Sequence, residues 1–258
     1  MKTLGLTATA VLALTSGYAF AGGDHKHDHA IAQKSAVTSP ADSAKVADFD
    51  ILAAHVHRNG RTITFHMTTA GTAGSTRPDA TGEFGGSAIW AYVWPTSLDP
   101  SAVGFEGGTG ILALAATSHP DFDDTPLYDE DGNGDTTNAE DGAEWHSHWV
   151  VLTPNEICGP DALGIRDIPE GEAPKMPATW PGVPMFLDSP GFTPVFDGPE
   201  IKVNAALAGA ETAAIQGASY DGATTALKVS ANLHAPLVCV ADVFDVASGD
   251  LSLPGKVE

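Results

Sequence analysis

Leu52-Ala53-Ala54-His55-Val56-His57-Arg58-Asn59-Gly60-Arg61-Thr62-Ile63-Thr64-Phe65-His66-Met67 reads as two alternating runs joined by Asn-Gly. Apolar and polar residues alternating with a period of two mark a half-buried strand. Asn-Gly is the strongest short hairpin signal, because both residues tolerate positive φ. With Asn59 and Gly60 as the turn, residue 58 pairs with 61, 57 with 62, 55 with 64 and 53 with 66. One face then carries Leu52, Ala54, Val56, Ile63, Phe65 and Met67 as core. The other carries His55, His57, Thr62, Thr64 and His66. Opposite and diagonal neighbours share a face, so the three imidazoles point the same way. His55 and His66, diagonal at ~7 Å between Cβ atoms, come within reach of one ion.

The same pattern recurs outward from this hairpin. Residues 89–94, 110–115, 201–207, 226–234 and 237–244 are short apolar or alternating runs bounded by Gly and Pro. Between Asp167 and Glu200 lie eight prolines, which exclude a helix or a central strand there. That segment is expected to wrap the surface, with Trp180 and Phe186 tucked beneath it. The expected fold is therefore all-β: a single β-sandwich domain over 46–258, with long Gly/Pro-rich loops and few or no helices. No Gly-rich phosphate loop, nucleophile elbow or internal repeat is present.

The chain ahead of the sandwich reads differently. Lys2, an apolar run over 4–14 and Ala19-Phe20-Ala21 form a secretory signal over 1–21, too short and too rich in Thr and Ala for a membrane span. Residues 22–45, opening Gly22-Gly23-Asp24-His25-Lys26-His27-Asp28-His29, are expected to be a disordered leader whose histidines collect cations. Export to the periplasm or cell surface follows, and in that compartment Cys158 and Cys239 are expected to form a disulfide. The formal charge of −21 repels phosphate backbones and anionic lipid, which argues against nucleic acid and membrane partners.

The densest chemistry lies in Asp129–Trp149, DEDGNGDTTNAEDGAEWHSHW. Asp129, Asp131, Asn133, Asp135 and Glu140 stand at positions 1, 3, 5, 7 and 12 of an EF-hand-like calcium loop, with Gly134 at the sharp turn. The flanking residues are not helical, so the loop is expected to stand alone, with Ca²⁺ as a staple. His146-Ser147-His148 follows on a strand, which places both imidazoles on one side, a common geometry for zinc or copper. Trp145, Trp149 and Val151 face the core. Completing ligands are expected from the polar-face histidines His55, His57, His66 or His234.

Glu144-Trp145-His146-Ser147-His148-Trp149 resembles the His-x-His-Trp strand of α-type carbonic anhydrases, whose third histidine has no counterpart here, since none follows His148 until His234. In context, Trp145 beside His146 and His148 is similar to the exported, surface-associated copper-binding proteins of methane-oxidising bacteria. Those loop-rich β proteins hold Cu(I) with two histidines and an oxidised tryptophan in a Trp-x-His spacing that this chain lacks. The resemblance implies copper ahead of zinc, and a role in capture, delivery or storage, with a metal-delivery partner. Two alternatives stand beside it: a zinc-dependent enzyme with Glu144 as general base for a bound water, and a calcium-stabilised structural domain.

Overall fold

The computed structural model describes residues 35–124, 141–207, 215–230, 232 and 236–258. In chain order the strands are β1 (Val37–Thr38), β2 (Ile51–Asn59), β3 (Thr62–Thr69), β4 (Ala88–Pro95), β5 (Ile111–Ser118), β6 (His146–Pro154) and β7 (Leu163–Ile165). They continue as β8 (Leu187–Asp188), β9 (Val195–Asp197), β10 (Glu200–Ala206), β11 (Ser219–Tyr220), β12 (Ala223–Val229), β13 (Val238–Val246) and β14 (Gly255–Lys256). Apart from two short 3₁₀ turns, Pro100–Ala102 and Asp141–Ala143, the described residues form no helix. The all-β class holds.

One sheet has the order β1-β2-β3-β10-β9. A second runs β5-β4-β12-β13-β7-β6-β8, with β6 also pairing back onto β5 so that β8 lies outside the closed ring, and β11 and β14 form a separate two-stranded pair. This closure departs from an open sandwich: the second sheet is a six-stranded antiparallel barrel, and the first packs on its outer wall. Closure removes the unpaired edges that an open sheet leaves exposed. It also gives the barrel strands two buried faces. Tyr92, Trp94, Leu112, Leu114, Trp149 and Val151 point outward into the layer shared with Val56, Phe65, Ile201 and Val203. Ile89, Ala91, Val93, Ala115, Val150 and Leu227 point into the barrel.

The hairpin forms with one change of register. Asn59 pairs with Thr62, His57 with Thr64 and His55 with His66, so Gly60 and Arg61 make the turn in place of Asn59 and Gly60. Gly60 takes φ +64 at the first central position, where the absence of Cβ makes that conformation cheap. Both partners shift together, so the faces stay as expected from Ala54 onward, while the irregularity between Ile51 and Ala53 puts Ile51 in the core in place of the expected Leu52. Ala54, Val56, Ile63, Phe65 and Met67 are buried.

The folded part also begins earlier than residue 46, because Val37 and Thr38 pair with Ala54 and Ala53. Where a strand is expected over 226–234, the described residues form one over Ala223–Val229, and 231, 233 and 234 lie outside the described residues. The proline-rich wrap behaves as expected: Phe186 is buried and Trp180 packs against the core. Cys158 and Cys239 are joined in a disulfide. No helix among the described residues is long and apolar enough to cross a membrane.

Candidate metal centre

The upper mouth of the barrel is built by the end of β5 and the start of β6, which run antiparallel with Ala115 opposite His148 and Thr117 opposite His146. Strand alternation sends His146 and His148 to the barrel side, since Trp149 and Val151 fill the outer layer. Trp149 is locked by Phe65, edge-to-face at 5.6 Å, an arrangement worth about 1 kcal/mol beyond its buried area. That lock fixes the register of β6 and so the height of both histidines. Just beyond the end of β5 the chain turns inward through His119 and, five residues on, Asp124.

These four side chains converge. Asp124 Oδ1 lies 3.3 Å from the Nε2 atoms of His119, His146 and His148. The Nε2 atoms of His119 and His146 are 2.9 Å apart. Ligand atoms around a tetrahedral ion at 2.0–2.1 Å stand about 3.3–3.4 Å from one another. The three distances from Asp124 Oδ1 match that spacing, the His119–His146 separation is tighter, and all four ligand atoms lie within 4.8 Å of one another. The cluster is buried, with His119, His148 and Asp124 almost inaccessible and His146 the most open at 16% side-chain exposure.

The outer nitrogens hold the tautomeric protons of the rings on the outside of the cluster. His119 Nδ1 is 2.9 Å from the Phe122 carbonyl, and His146 Nδ1 is 2.7 Å from the Glu144 carbonyl. A carbonyl only accepts, so each Nδ1 donates. Ser189 Oγ donates to the Asp124 carbonyl at 2.8 Å, which leaves it to accept from His148 Nδ1 at 3.2 Å. Neutral imidazoles with Nδ1–H present bare Nε2 lone pairs to the centre. Three lone pairs and a carboxylate oxygen then meet with no donor among them. A cation reconciles them, and Asp124 Oδ1 and His148 Nε2 have no hydrogen-bond partner otherwise. The cluster could therefore hold a metal ion. This outer shell of carbonyls and a hydroxyl is the usual means of fixing ligand tautomers.

The electrostatics agree at His119 and Asp124, whereas at His146 they favour the charged ring, whose inner proton a cation would have to displace. Burial pushes the His119 imidazole down, toward its neutral form, against the pull of Asp124. Burial alone would raise the Asp124 carboxyl, but His148 and His119 outweigh it and hold the group well below its usual range. Burial also acts downward on His146, yet its bond to and attraction by Asp124 keep it raised. Arg77 grips the Glu144 carboxylate at 2.7 and 2.9 Å, which steadies the carbonyl beneath His146 and occupies the side chain expected to act as a base.

His146 and His148 are thus both in the cluster. His55, His57 and His66 are not: they lie on the outer face of the first sheet. There the rings of His55 and His57 stack at 5.2 Å, and His66 Nε2 is 3.5 Å from Glu200. The reason is topological, since β2 and β3 face away from the barrel mouth. His234, and the calcium-loop residues Asp129, Asp131, Asn133, Asp135 and Glu140, lie outside the described residues, as do His25, His27 and His29. Trp145 points away from the cluster, packs against the core as expected and donates its indole N–H to Gly74 O at 2.9 Å.

His119 and Asp124 were missed by sequence reasoning. Their signal was weak, a His-Pro and an acid in a run of aspartates. It becomes legible only once β5 is paired with β6, which puts His119 beside His146. The chain matches no protein-family model, no curated protein and no solved structure.

Proposed function

We propose that the chain is a transition-metal-binding protein that holds one divalent ion, zinc, at His119, Asp124, His146 and His148, serving capture, delivery or storage of that ion outside the cytoplasm. The single observation that carries this reading is the aspartate oxygen equidistant from three bare imidazole nitrogens. Three imidazole nitrogens and one carboxylate oxygen are a donor set that suits zinc. Cu(II) favours tetragonal sites and Cu(I) favours sulfur donors, and both cysteines are tied in the disulfide. Four protein ligands fill the shell, and a closed shell suits holding an ion better than activating a water. A disulfide is compatible with export, where such a role belongs.

Copper, favoured by the sequence resemblance, is the competing ion. Metal analysis of the untagged protein decides between them: zinc at one equivalent supports the proposal, copper at one equivalent replaces the ion. His146→Ala combined with His148→Ala should abolish that equivalent while the circular dichroism of the β fold is retained. Unchanged metal content in the double variant would remove the site and leave the leader histidines as the binders.

A further inference from the structure

The barrel does not fill its own interior. Small inward side chains, among them Ala115 and Ala223, leave a cavity of about 130 Å³ along its axis. At the upper end the wall includes His119, Asp124 and His148. At the lower end it is closed by Leu251 and Leu253, carried on the strap that follows β13. Between them the wall is aliphatic, apart from Thr225, whose buried hydroxyl has no hydrogen-bond partner. A polar cavity of this size would take up water, whereas an apolar one stays dry and accepts a benzene-sized guest.

The strap is the second observation. Leu251 and Leu253 adopt φ +56 and +54, and they are two of only three non-glycine residues with positive φ among the described residues. For a leucine each such conformation is strained, because Cβ crowds the following carbonyl oxygen. It persists here because Asp250 is fixed, its backbone N–H donating to Ser248 Oγ and its carboxylate accepting from the backbone N–H of Ser252. The strain holds two apolar side chains beneath the barrel, and Leu251 remains 38% exposed beside exposed Val243 and Ile111, which line the same end. An apolar rim around a strained strap is what an entrance looks like before a guest passes.

We infer that the barrel interior is a binding site for a small, uncharged, mostly apolar molecule of about benzene size, carrying at most one hydrogen-bonding group, admitted past Leu251 and Leu253. A charged guest is disfavoured, because the only ionised group on the wall, Asp124, is engaged by three imidazoles. The guest would lie against the barrel side of the metal ligands, at a site separate from the metal shell.

Xenon and benzene are the probes. Crystals of the zinc-loaded protein under xenon pressure should show an anomalous peak inside the barrel, and benzene should shift the methyl resonances of Val93, Ile165 and Leu227. Ala223→Leu fills the lower cavity and should abolish both signals while zinc stays at one equivalent. A xenon map empty within the barrel together with no benzene shifts overturns the inference, as does undiminished benzene binding by Ala223→Leu. If that variant does not fold, the wild-type xenon map alone decides. Zinc content measured on the same samples tests the metal centre independently, so either reading can fail without the other.

Discussion

At the scale of single residues, the balance between burial and charge decides what each histidine does. The three imidazoles at the barrel mouth are held by carbonyls and a hydroxyl with their lone pairs inward, and Asp124 supplies the negative charge that a divalent ion needs. His66 shows the same burial without such a partner set. Burial, and then the charge of Lys202, push it down to about 4, against the pull of Glu200. Its folded value lies below that of an unfolded histidine, so the unfolded chain binds more protons between about pH 6.5 and 4, and stability falls as pH drops through that window. With metal removed by chelator, the wild type should lose up to about 3 kcal/mol between pH 7 and 4 from this group. Urea titrations at both pH values should show a smaller loss for His66→Gln. Parallel losses in the two proteins would mean that His66 is not the titrating group.

At the scale of elements, the barrel is held unevenly. β12 and β13 share seven register pairs, whereas β13 meets β7 through one, Cys239 with Gly164. The disulfide lies at this thin seam. It joins Cys239 to Cys158 in the turn after β6, and a Cβ on Gly164 would stand 3.1 Å from Cys158 Sγ. Closing a loop of 81 residues restricts the unfolded chain, an effect typically worth about 2–4 kcal/mol. Cys158→Ser with Cys239→Ser should therefore lower the unfolding free energy from urea titration by that amount without loss of the zinc equivalent, since the ligands lie on β6 and on the segment that follows β5. An unchanged value would show that the β13–β7 ladder closes the barrel unaided. Strand identity was legible at this scale because alternation is a local property. The hairpin slipped by one position in the turn yet kept its faces, since parity survives a concerted shift of both partners.

At the scale of the whole molecule, a chain with formal charge −21 gathers cations around itself, but a diffuse field does not select one. Selection would belong to the buried cluster of His119, Asp124, His146 and His148, which is assembled only in the folded state, so binding there would be folding free energy. Zinc at about a thousand times its dissociation constant should stabilise the fold by about 4 kcal/mol. For a chain of this size that is roughly a 10 °C rise in Tm, reversed by chelator and absent from the His146→Ala/His148→Ala variant. A rise of equal size in that variant would place the stabilising ion elsewhere.

The sequence by itself determined the all-β class, the two faces of the hairpin, the shared side of His146 and His148, and the cysteine pair. Each of these depends on spacing along a few residues or on the only possible partner. The closure of the barrel, the recruitment of His119 and Asp124, and the exclusion of His55, His57 and His66 were decided only by tertiary structure. Pairing β5 with β6 is a contact across a long connection, and nothing local records which sheet a histidine will join or which mouth it will face.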